Sequence, residues 1–140
     1  MTTTTVSPKP TPEPDDQSRE FFDGAQRNEL MLKRCDACQA WLLPGAVSCT
    51  ECLGEDLSWQ KASGRGTVHT FGVMHQLYHQ GFRDLTPYNV AIVELVEGPR
   101  MQTNLVEIDN DQIHVGMGVE VRFPEHTPGF RLPKFAPGEG

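Results

Sequence analysis

The sequence has no cysteine outside residues 35–52, no long apolar run and few basic residues. No stretch approaches the roughly 20 apolar residues that a membrane span needs. The start Met-Thr-Thr-Thr-Thr-Val-Ser-Pro lacks the basic and apolar segments of a secretory signal. We therefore expect a cytoplasmic protein without membrane contact, in a compartment that keeps thiols reduced.

Basic charge is scarce along the whole chain. Twelve Lys and Arg stand against nineteen Asp and Glu, which gives a formal net charge of −7. From residue 67 onward, five basic residues stand against nine acidic ones. Such a surface repels a phosphate backbone at long range. The sequence therefore argues against the alternative function of a single-stranded nucleic-acid-binding protein, for which aromatic residues on a basic groove would be expected.

Motifs of self-contained catalysis are also missing. There is no Gly-x-Ser-x-Gly, no His-Glu-x-x-His and no Walker loop. Gly64-Arg-Gly66 lacks the third glycine of a dinucleotide fingerprint, because His69 stands in that place. We expect no catalytic residue in this chain acting alone. The alternative is a stand-alone enzyme that uses His75, His79 or Glu94 as an acid or base.

All four cysteines form two Cys-x-x-Cys pairs within eighteen residues. Cys35 and Cys38 are separated from Cys49 and Cys52 by ten residues. Each such turn offers two sulfurs to one point about 2.3 Å away, so two turns can close a tetrahedral shell around zinc. A closed four-cysteine shell leaves no position for water or substrate, so we predict a structural metal.

Three other uses of these cysteines remain open: two disulfides, a redox Cys-x-x-Cys motif and an iron–sulfur centre. Disulfides need an oxidising compartment, and the redox motif normally opens a helix with a single pair. Structural zinc is favoured because its binding free energy of about 10–16 kcal/mol can fold a fragment with almost no core.

The first half of the chain divides into three segments. Residues 1–15 hold five threonines and four prolines and are predicted to be a disordered or extended tail. Residues 16–29 predict a helix with Ser18 as N-cap. Residues 30–62 predict a zinc ribbon, because short strand-like stretches lead into the first cysteine pair and out of the second.

The second half predicts a five-stranded barrel of the OB-fold class at residues 63–125, followed by a C-terminal extension at residues 126–140. The turn signal Glu97-Gly-Pro-Arg100 predicts a hairpin. The strand predictions rest on stretches rich in branched and aromatic residues at 67–74, 89–96, 101–108 and 119–123.

Several short motifs occur in the order typical of one family. Besides the cysteine pairs they are Gly64-x-Gly-Thr-Val68, Pro87-Tyr88 before Ala91-Ile-Val-Glu-Leu95, Glu97-Gly98, Asn104-Leu105, Gly116-Met117-x-Val119 and Leu132-Pro-x-Phe135-x-Pro137. With them the chain resembles the zinc-ribbon/OB-fold proteins associated with acyl-CoA. The resemblance implies a mostly β fold with an N-terminal helix, a rubredoxin-like zinc ribbon and an OB barrel. Gln39 departs from the pattern, since the family usually has glycine there.

Members of this family are small partners of thiolase-like or hydratase-like enzymes that act on acyl-CoA thioesters. The resemblance therefore implies an accessory subunit of a thiolase-type aldolase or acyltransferase, with steroid side-chain breakdown as one setting. It also implies a hetero-oligomer in which acyl-CoA lies at a shared site.

Long loops and exposed aromatic residues commonly carry recognition. The connection at residues 75–88 is the longest in the predicted barrel, and the C-terminal extension carries further aromatic residues. The candidate contacts with CoA or a partner are Tyr78, His79, Phe82, Arg83, Tyr88, Phe130 and Phe135.

Overall fold

The computed structural model describes residues 15–16, 18–75 and 87–138, and it confirms the predicted mostly β fold with one helix near the N-terminus. No helix among these residues is both long and apolar enough to span a membrane. The elements are α1 (Arg19–Gln26), β1 (Met31–Cys35), β2 (Trp41–Leu42), β3 (Leu57–Lys61), β4 (Arg65–Met74), β5 (Tyr88–Leu95), β6 (Arg100–Thr103), a 3-10 turn (Asn110–Gln112), β7 (Gly118–Arg122), β8 (Glu125–Thr127), β9 (Phe130–Arg131) and β10 (Lys134–Pro137).

Helix α1 begins where Ser18 was predicted as N-cap, but the Ser18 side chain does not cap it. The Ser18 hydroxyl instead donates to the Asp15 carboxylate at 3.0 Å. At the other end Asn28 adopts a left-handed φ of 64°. The following N–H, that of Glu29, donates back to the Gly24 carbonyl at 2.8 Å. This is the Schellman arrangement, which asparagine supports at low steric cost.

The ribbon is a three-stranded antiparallel sheet with β1 in the centre, in the order β2-β1-β3. Lys33 on β1 is only 7% exposed although it carries a charge. Its Nζ donates to the Ala46 carbonyl at 2.7 Å and lies 5.1 Å from the Trp59 ring centroid. The lysine therefore ties the loop between the two cysteine pairs to the middle strand.

The barrel sheet has the order β10-β7-β4-β5-β6, and a parallel bridge between Leu105 and Phe135 closes it. The Val106 N–H donates to the Phe135 carbonyl at 2.8 Å, and the Phe135 N–H donates to the Asn104 carbonyl at 3.2 Å. Five strands in this cyclic order form the predicted OB fold.

The barrel extends beyond the predicted limit at residue 125. Its last strand, β10, lies in the segment that we had assigned to a C-terminal extension, and Phe135 on that strand is 0% exposed. The strand escaped prediction because it is four residues long and ends at Pro137, which is typical of a turn. Strand β10 is needed to close the barrel, because no other described strand meets the β6 side of the sheet.

One core runs through both the ribbon and the barrel. Leu30, Leu32 and Ala62 from the ribbon lie in the same buried cluster as the barrel residues. Full burial of each such leucine stabilises the fold by about 1.5–3 kcal/mol. The barrel members of the cluster are Val68, Ala91, Val93, Leu95, Leu105, Ile113, Met117, Val119 and Phe135. The ribbon is therefore fixed on the barrel by shared packing.

Helix α1 also contacts the small hairpin formed by β8 and β9. The Phe22 and Phe130 rings stack with centroids 6.1 Å apart. The Gln26 side-chain amide pairs with the backbone of Arg131, donating to its carbonyl and accepting its N–H, each at 2.9 Å. These contacts hold the helix against the C-terminal segment.

The Gly64-x-Gly66 motif owes its glycines to close packing. Gly64 has φ +80°, and a Cβ there would clash with Val121. A Cβ on Gly66 would lie 2.5 Å from the Glu94 carbonyl oxygen and 2.8 Å from Val93 Cγ1. Because neither the backbone of β5 nor a buried valine can yield freely, strand β4 pairs with β5 only when residue 66 has no side chain.

We predict that Gly66→Ala lowers the free energy of unfolding by about 2 kcal/mol or more, as overpacking does. Gly72→Ala on the same strand is the matched control, since its Cβ would meet only Met74 Cε at 3.9 Å. Urea unfolding of the zinc-loaded protein measures both variants. Equal stability of the two would contradict this packing account.

Candidate metal centre and neighbouring cavity

The four predicted cysteines converge on one point at the tip of the ribbon. Their Sγ atoms all lie within 4.8 Å of one another. Cys35 and Cys52 are 3.6 Å apart and Cys38 and Cys49 are 3.5 Å apart, measured between sulfurs. A tetrahedron with zinc–sulfur distances of about 2.3 Å has edges of about 3.8 Å. The spacing and the all-sulfur donor set therefore fit zinc.

Both cysteine pairs use the same turn. The Gln39 N–H donates to the Cys35 carbonyl at 2.9 Å, and the Leu53 N–H donates to the Cys49 carbonyl at 2.9 Å. Gln39 and Leu53 have left-handed φ values of 68° and 64°. The Glu51 N–H donates to Cys49 Sγ at 3.3 Å. Repetition of one turn explains how two separate segments present their sulfurs to the same centre.

The surroundings of the sulfurs change their acidity unequally. The backbone N–H of Cys52 contributes most to lowering the pKa of Cys49 to about 7. The N–H of Cys38 contributes most to lowering the pKa of Cys35. The pKa of Cys38 is raised to about 12: the Ala40 N–H acts to lower it, but the sulfurs of Cys49, Cys52 and Cys35, together with burial, outweigh this effect. Crowded thiolates repel one another, and a central cation removes that repulsion.

The geometry does not favour the disulfide use or the redox use of the cysteines. All four are free thiols in the structure, and sulfurs 3.5–3.6 Å apart are far from a disulfide bond of about 2.05 Å. Cys35 ends strand β1 and is followed by turn residues, so the helix N-terminus of a redox motif is absent there.

The other predicted contact residues fall into two groups. Tyr78, His79, Phe82 and Arg83 lie outside the described residues. Tyr88 lines a surface cavity, Phe130 is half-buried against Phe22, and Phe135 is fully buried. Phe135 therefore belongs to the core and offers no surface to CoA or a partner. It was named because sequence alone does not distinguish a core aromatic from an interface aromatic.

Three asparagines support the cavity that Tyr88 lines, which has a volume of about 600 Å³. Asn89 is 6% exposed, and its side-chain nitrogen donates to the Leu105 carbonyl at 2.9 Å and to Asn110 Oδ1 at 3.1 Å. The Lys134 Nζ donates to Asn104 Oδ1 at 2.7 Å. Sequence analysis missed Asn89 and Lys134. An asparagine within an apolar strand pattern was the available signal.

Glu94, the candidate base of a stand-alone enzyme, is an exposed residue that pairs with Arg100 at 3.2 Å. His69 and His75 are exposed on and after β4, while His79 lies outside the described residues. The described members of this set therefore lie on exposed surface.

The fold and the four-sulfur centre define a zinc-ribbon/OB-fold protein. Residues 22–58 match the family model of the ChsH2 rubredoxin-like zinc ribbon domain, and residues 59–124 match that of the ChsH2 C-terminal OB-fold domain. The chain belongs to this ChsH2-type DUF35 family, as the sequence resemblance predicted. Zinc is the cofactor of that ribbon class, and the four cysteines are positioned to bind it.

Curated relatives include both short and long proteins. A "DUF35 domain-containing scaffold protein" of Methanothermobacter thermautotrophicus is 37% identical over 99 residues, covering 70% of this chain and 74% of that protein. A "Probable enoyl-CoA hydratase alpha subunit" of Thermomonospora curvata is 36% identical over 129 residues, covering 92% of this chain. The "3-oxo-4,17-pregnadiene-20-carboxyl-CoA hydratase alpha subunit" of Mycobacterium tuberculosis is 30% identical over 119 residues, covering 85%. The chain spans only 40% and 37% of the length of these two hydratase subunits.

A solved structure named "Ltp2-ChsH2(DUF35) aldolase" contains a chain of the same shape. That chain is 36% identical to this one, with a TM-score of 0.80. The match covers 91% of this chain and 98% of that chain. The likeness therefore extends over the helix, the ribbon and the barrel together.

We predict one zinc per chain, and that Cys49→Ser loses both the metal and the ribbon fold. The lost binding free energy is on the order of 10 kcal/mol, comparable to the whole stability of a typical domain. Elemental analysis and thermal unfolding measure the two effects. Thr50→Ser, in the same turn, should keep both metal and stability. A stable, metal-free wild-type chain would contradict the assignment.

We also predict that Gln39→Gly raises the free energy of unfolding by about 1 kcal/mol, because glycine adopts a left-handed backbone without strain. Gln60→Gly, at an exposed position within β3, should lower the free energy of unfolding by about 0.5–1 kcal/mol. Denaturant titration of the zinc-loaded variants tests the pair. A loss of stability in Gln39→Gly would show that its side-chain hydrogen bond to the Asp36 carbonyl, at 3.1 Å, outweighs the strain.

Proposed function

We propose that this chain is an accessory subunit that assembles with a thiolase-like enzyme acting on acyl-CoA thioesters. The observation that carries the proposal is the match to the chain of the Ltp2-ChsH2(DUF35) aldolase, which extends over 98% of that chain. A partner that binds such a chain would meet a similar surface here. The name of the scaffold relative from Methanothermobacter thermautotrophicus also speaks of assembly and not of turnover.

The zinc in this proposal is structural, with Cys35, Cys38, Cys49 and Cys52 as its four ligands. A four-sulfur shell has no open position for substrate, so the metal stabilises the ribbon and performs no step of the reaction. Any direct role of the chain in catalysis would then come from residues that complete the partner's CoA site. From the predicted contacts we retain Tyr88, which lines the 600 Å³ cavity, and Phe130 beside α1.

The finer proposal is an aldolase or thiolase in steroid side-chain or related lipid degradation. The word aldolase in the name of the solved structure supports the reaction, and the pregnadiene carboxyl-CoA in the name of the Mycobacterium tuberculosis relative supports the steroid setting alone. In an aldol cleavage the enzyme breaks the bond between the α and β carbons of a β-hydroxyacyl-CoA. The β-hydroxyl gives its proton to a base and becomes the carbonyl of the released aldehyde or ketone. The electron pair of the broken bond passes to the α carbon of the thioester, which then takes up a proton.

A hydratase subunit is the second candidate function, and the names of two relatives favour it. In this alternative the chain would support the addition of water to an unsaturated acyl-CoA. The chain matches only 40% of the Thermomonospora curvata protein, so the hydratase chemistry would belong to a further domain or partner. An acyltransferase partner is a further variant of the same subunit role.

We predict that this chain raises the rate at which a thiolase-like partner splits a β-hydroxyacyl-CoA by at least about tenfold, because a completed site gains binding energy. If the partner is unstable alone, we predict that this chain stabilises it. The experiment measures aldehyde or ketone release by the partner alone, by the chain alone and by both. Hydration of the matching unsaturated acyl-CoA is measured in parallel and separates the two candidate functions. Equal activity and stability of the partner without the chain would refute the subunit role.

A further inference from the structure

Lys33 is a buried cation within the ribbon. Its side chain is 7% exposed, its Nζ donates to the Ala46 carbonyl at 2.7 Å, and the same Nζ lies 5.1 Å from the Trp59 ring centroid. None of the salt bridges among the described residues includes it. Burial of an ammonium group is costly unless a negative charge compensates it. Neither a carbonyl nor an aromatic ring carries a full negative charge, so these two contacts compensate the ammonium group only in part.

Strand alternation places Lys33 on the same face of the ribbon sheet as Cys35. Side chains two residues apart on a strand share a face, and their Cα atoms are about 6.7 Å apart. The residue opposite Lys33 on β2 is Leu42, and directly opposed residues also share a face. Leu42 lies in one buried cluster with Cys35 and Cys49, and Ala46 packs against that cluster. The ammonium group therefore lies near the two buried cysteines of the four-sulfur centre.

The four-cysteine centre carries a net negative charge with zinc bound. Four thiolates around Zn²⁺ leave a net charge of −2. The surrounding sequence adds to it, because residues 35–60 hold four acidic residues and no Lys, Arg or His. Charges that are partly buried are screened less by salt and water than charges on the surface. A buried ammonium group on the same face of the sheet therefore offsets the charge of the centre from within the ribbon.

Arg34, the next residue on β1, is a second cation near the centre, and it lies on the opposite face of the sheet. Its guanidinium carbon lies 5.0 Å from the Trp41 ring centroid, and its Nε donates to the Gln39 carbonyl at 3.0 Å. Arg34 is only half-buried, so water screens its charge more than that of Lys33. Of the two cations, Lys33 therefore has the stronger electrostatic effect on the sulfurs.

We propose that Lys33 is the internal counter-charge of the zinc centre and raises the affinity of the four cysteines for the metal. Its charge offsets the net negative charge of the zinc–thiolate group, while its hydrogen bond to Ala46 holds the loop between the two cysteine pairs. Lys33 is thus a positioning residue that acts through the cysteines and is not itself a ligand. The proposal concerns the ribbon alone and does not depend on the proposed partner.

The first measurement is the zinc affinity of the full chain, obtained by competition with a chelator. Lys33→Met removes the charge and keeps a flexible apolar side chain in the buried site, and we expect it to weaken zinc binding at least about tenfold. Lys61→Met makes the same change at an exposed position opposite Met31, at the end of the sheet away from Cys35. This control should bind zinc within about twofold of wild type. Equal zinc affinities of the two variants would overturn the proposal.

The second measurement separates the charge of Lys33 from its hydrogen bond. The full chain is loaded with iron in place of zinc, and the potential for reduction of Fe³⁺ to Fe²⁺ is measured at an electrode, which supplies the electron. Reduction changes the net charge of the metal with four thiolates from −1 to −2, so a nearby cation favours the reduced form. Lys33→Met should therefore shift the equilibrium about tenfold toward Fe³⁺, which is a potential about 59 mV lower. Lys61→Met should leave the equilibrium within about twofold of wild type.

Two further variants complete the test. Lys33→Gln keeps an N–H donor for the Ala46 carbonyl and removes the charge, so a lowered potential in this variant as well would support the proposal. A wild-type potential in either uncharged variant would show that Lys33 acts through packing or hydrogen bonding alone, and would overturn it. If neither uncharged variant holds iron, the zinc affinity of Lys33→Arg decides. An affinity closer to that of wild type than to that of Lys33→Met supports the role of the charge, and any weaker affinity overturns it.

Discussion

The packing of strand β1 into the barrel core is the interaction on which the rest of the structure depends. Leu30, just before the strand, and Leu32 within it are buried among barrel residues. Three residues further on, Cys35 brings its sulfur into the four-cysteine centre. Because one strand joins the shared core to the four-cysteine centre, the metal stabilises the position of the ribbon as well as its fold. The surfaces of the ribbon and the barrel are therefore held in a fixed arrangement.

The sequence predicted features that depend on local chemistry. Three of these features follow from contacts between residues that are close in the chain or in adjacent strands. They are the spacing of the cysteine pairs, the turn at Glu97-Gly-Pro-Arg100 and the glycines of Gly64-x-Gly66. The cysteines were also the strongest signal, because two Cys-x-x-Cys pairs close together in the chain are typical of a zinc site.

Features that depend on distant contacts were harder to predict. Strand β10 is short and has a proline at its end, and only the barrel closure next to Leu105 makes it a strand. The same closure explains why Phe135 is a core residue. One local contact was also not predicted. The Ser18 hydroxyl donates to the Asp15 carboxylate and does not cap the backbone N–H groups of the helix. The groove between residues 39–51 of the ribbon and residues 97–100 of the β5–β6 turn joins segments about fifty residues apart, and no local pattern predicts it.

A rigid ribbon and barrel with a closed metal shell suits a protein that acts by holding another protein. We propose that this chain is a subunit of an acyl-CoA enzyme and that zinc stabilises its ribbon. Native mass spectrometry of the chain produced together with a thiolase-like partner tests it most directly, since one spectrum reports both bound zinc and the mass of the assembly. The account predicts a hetero-complex with one zinc for each copy of this chain. A chain that carries zinc but remains alone, or a complex that forms without the metal, would contradict it.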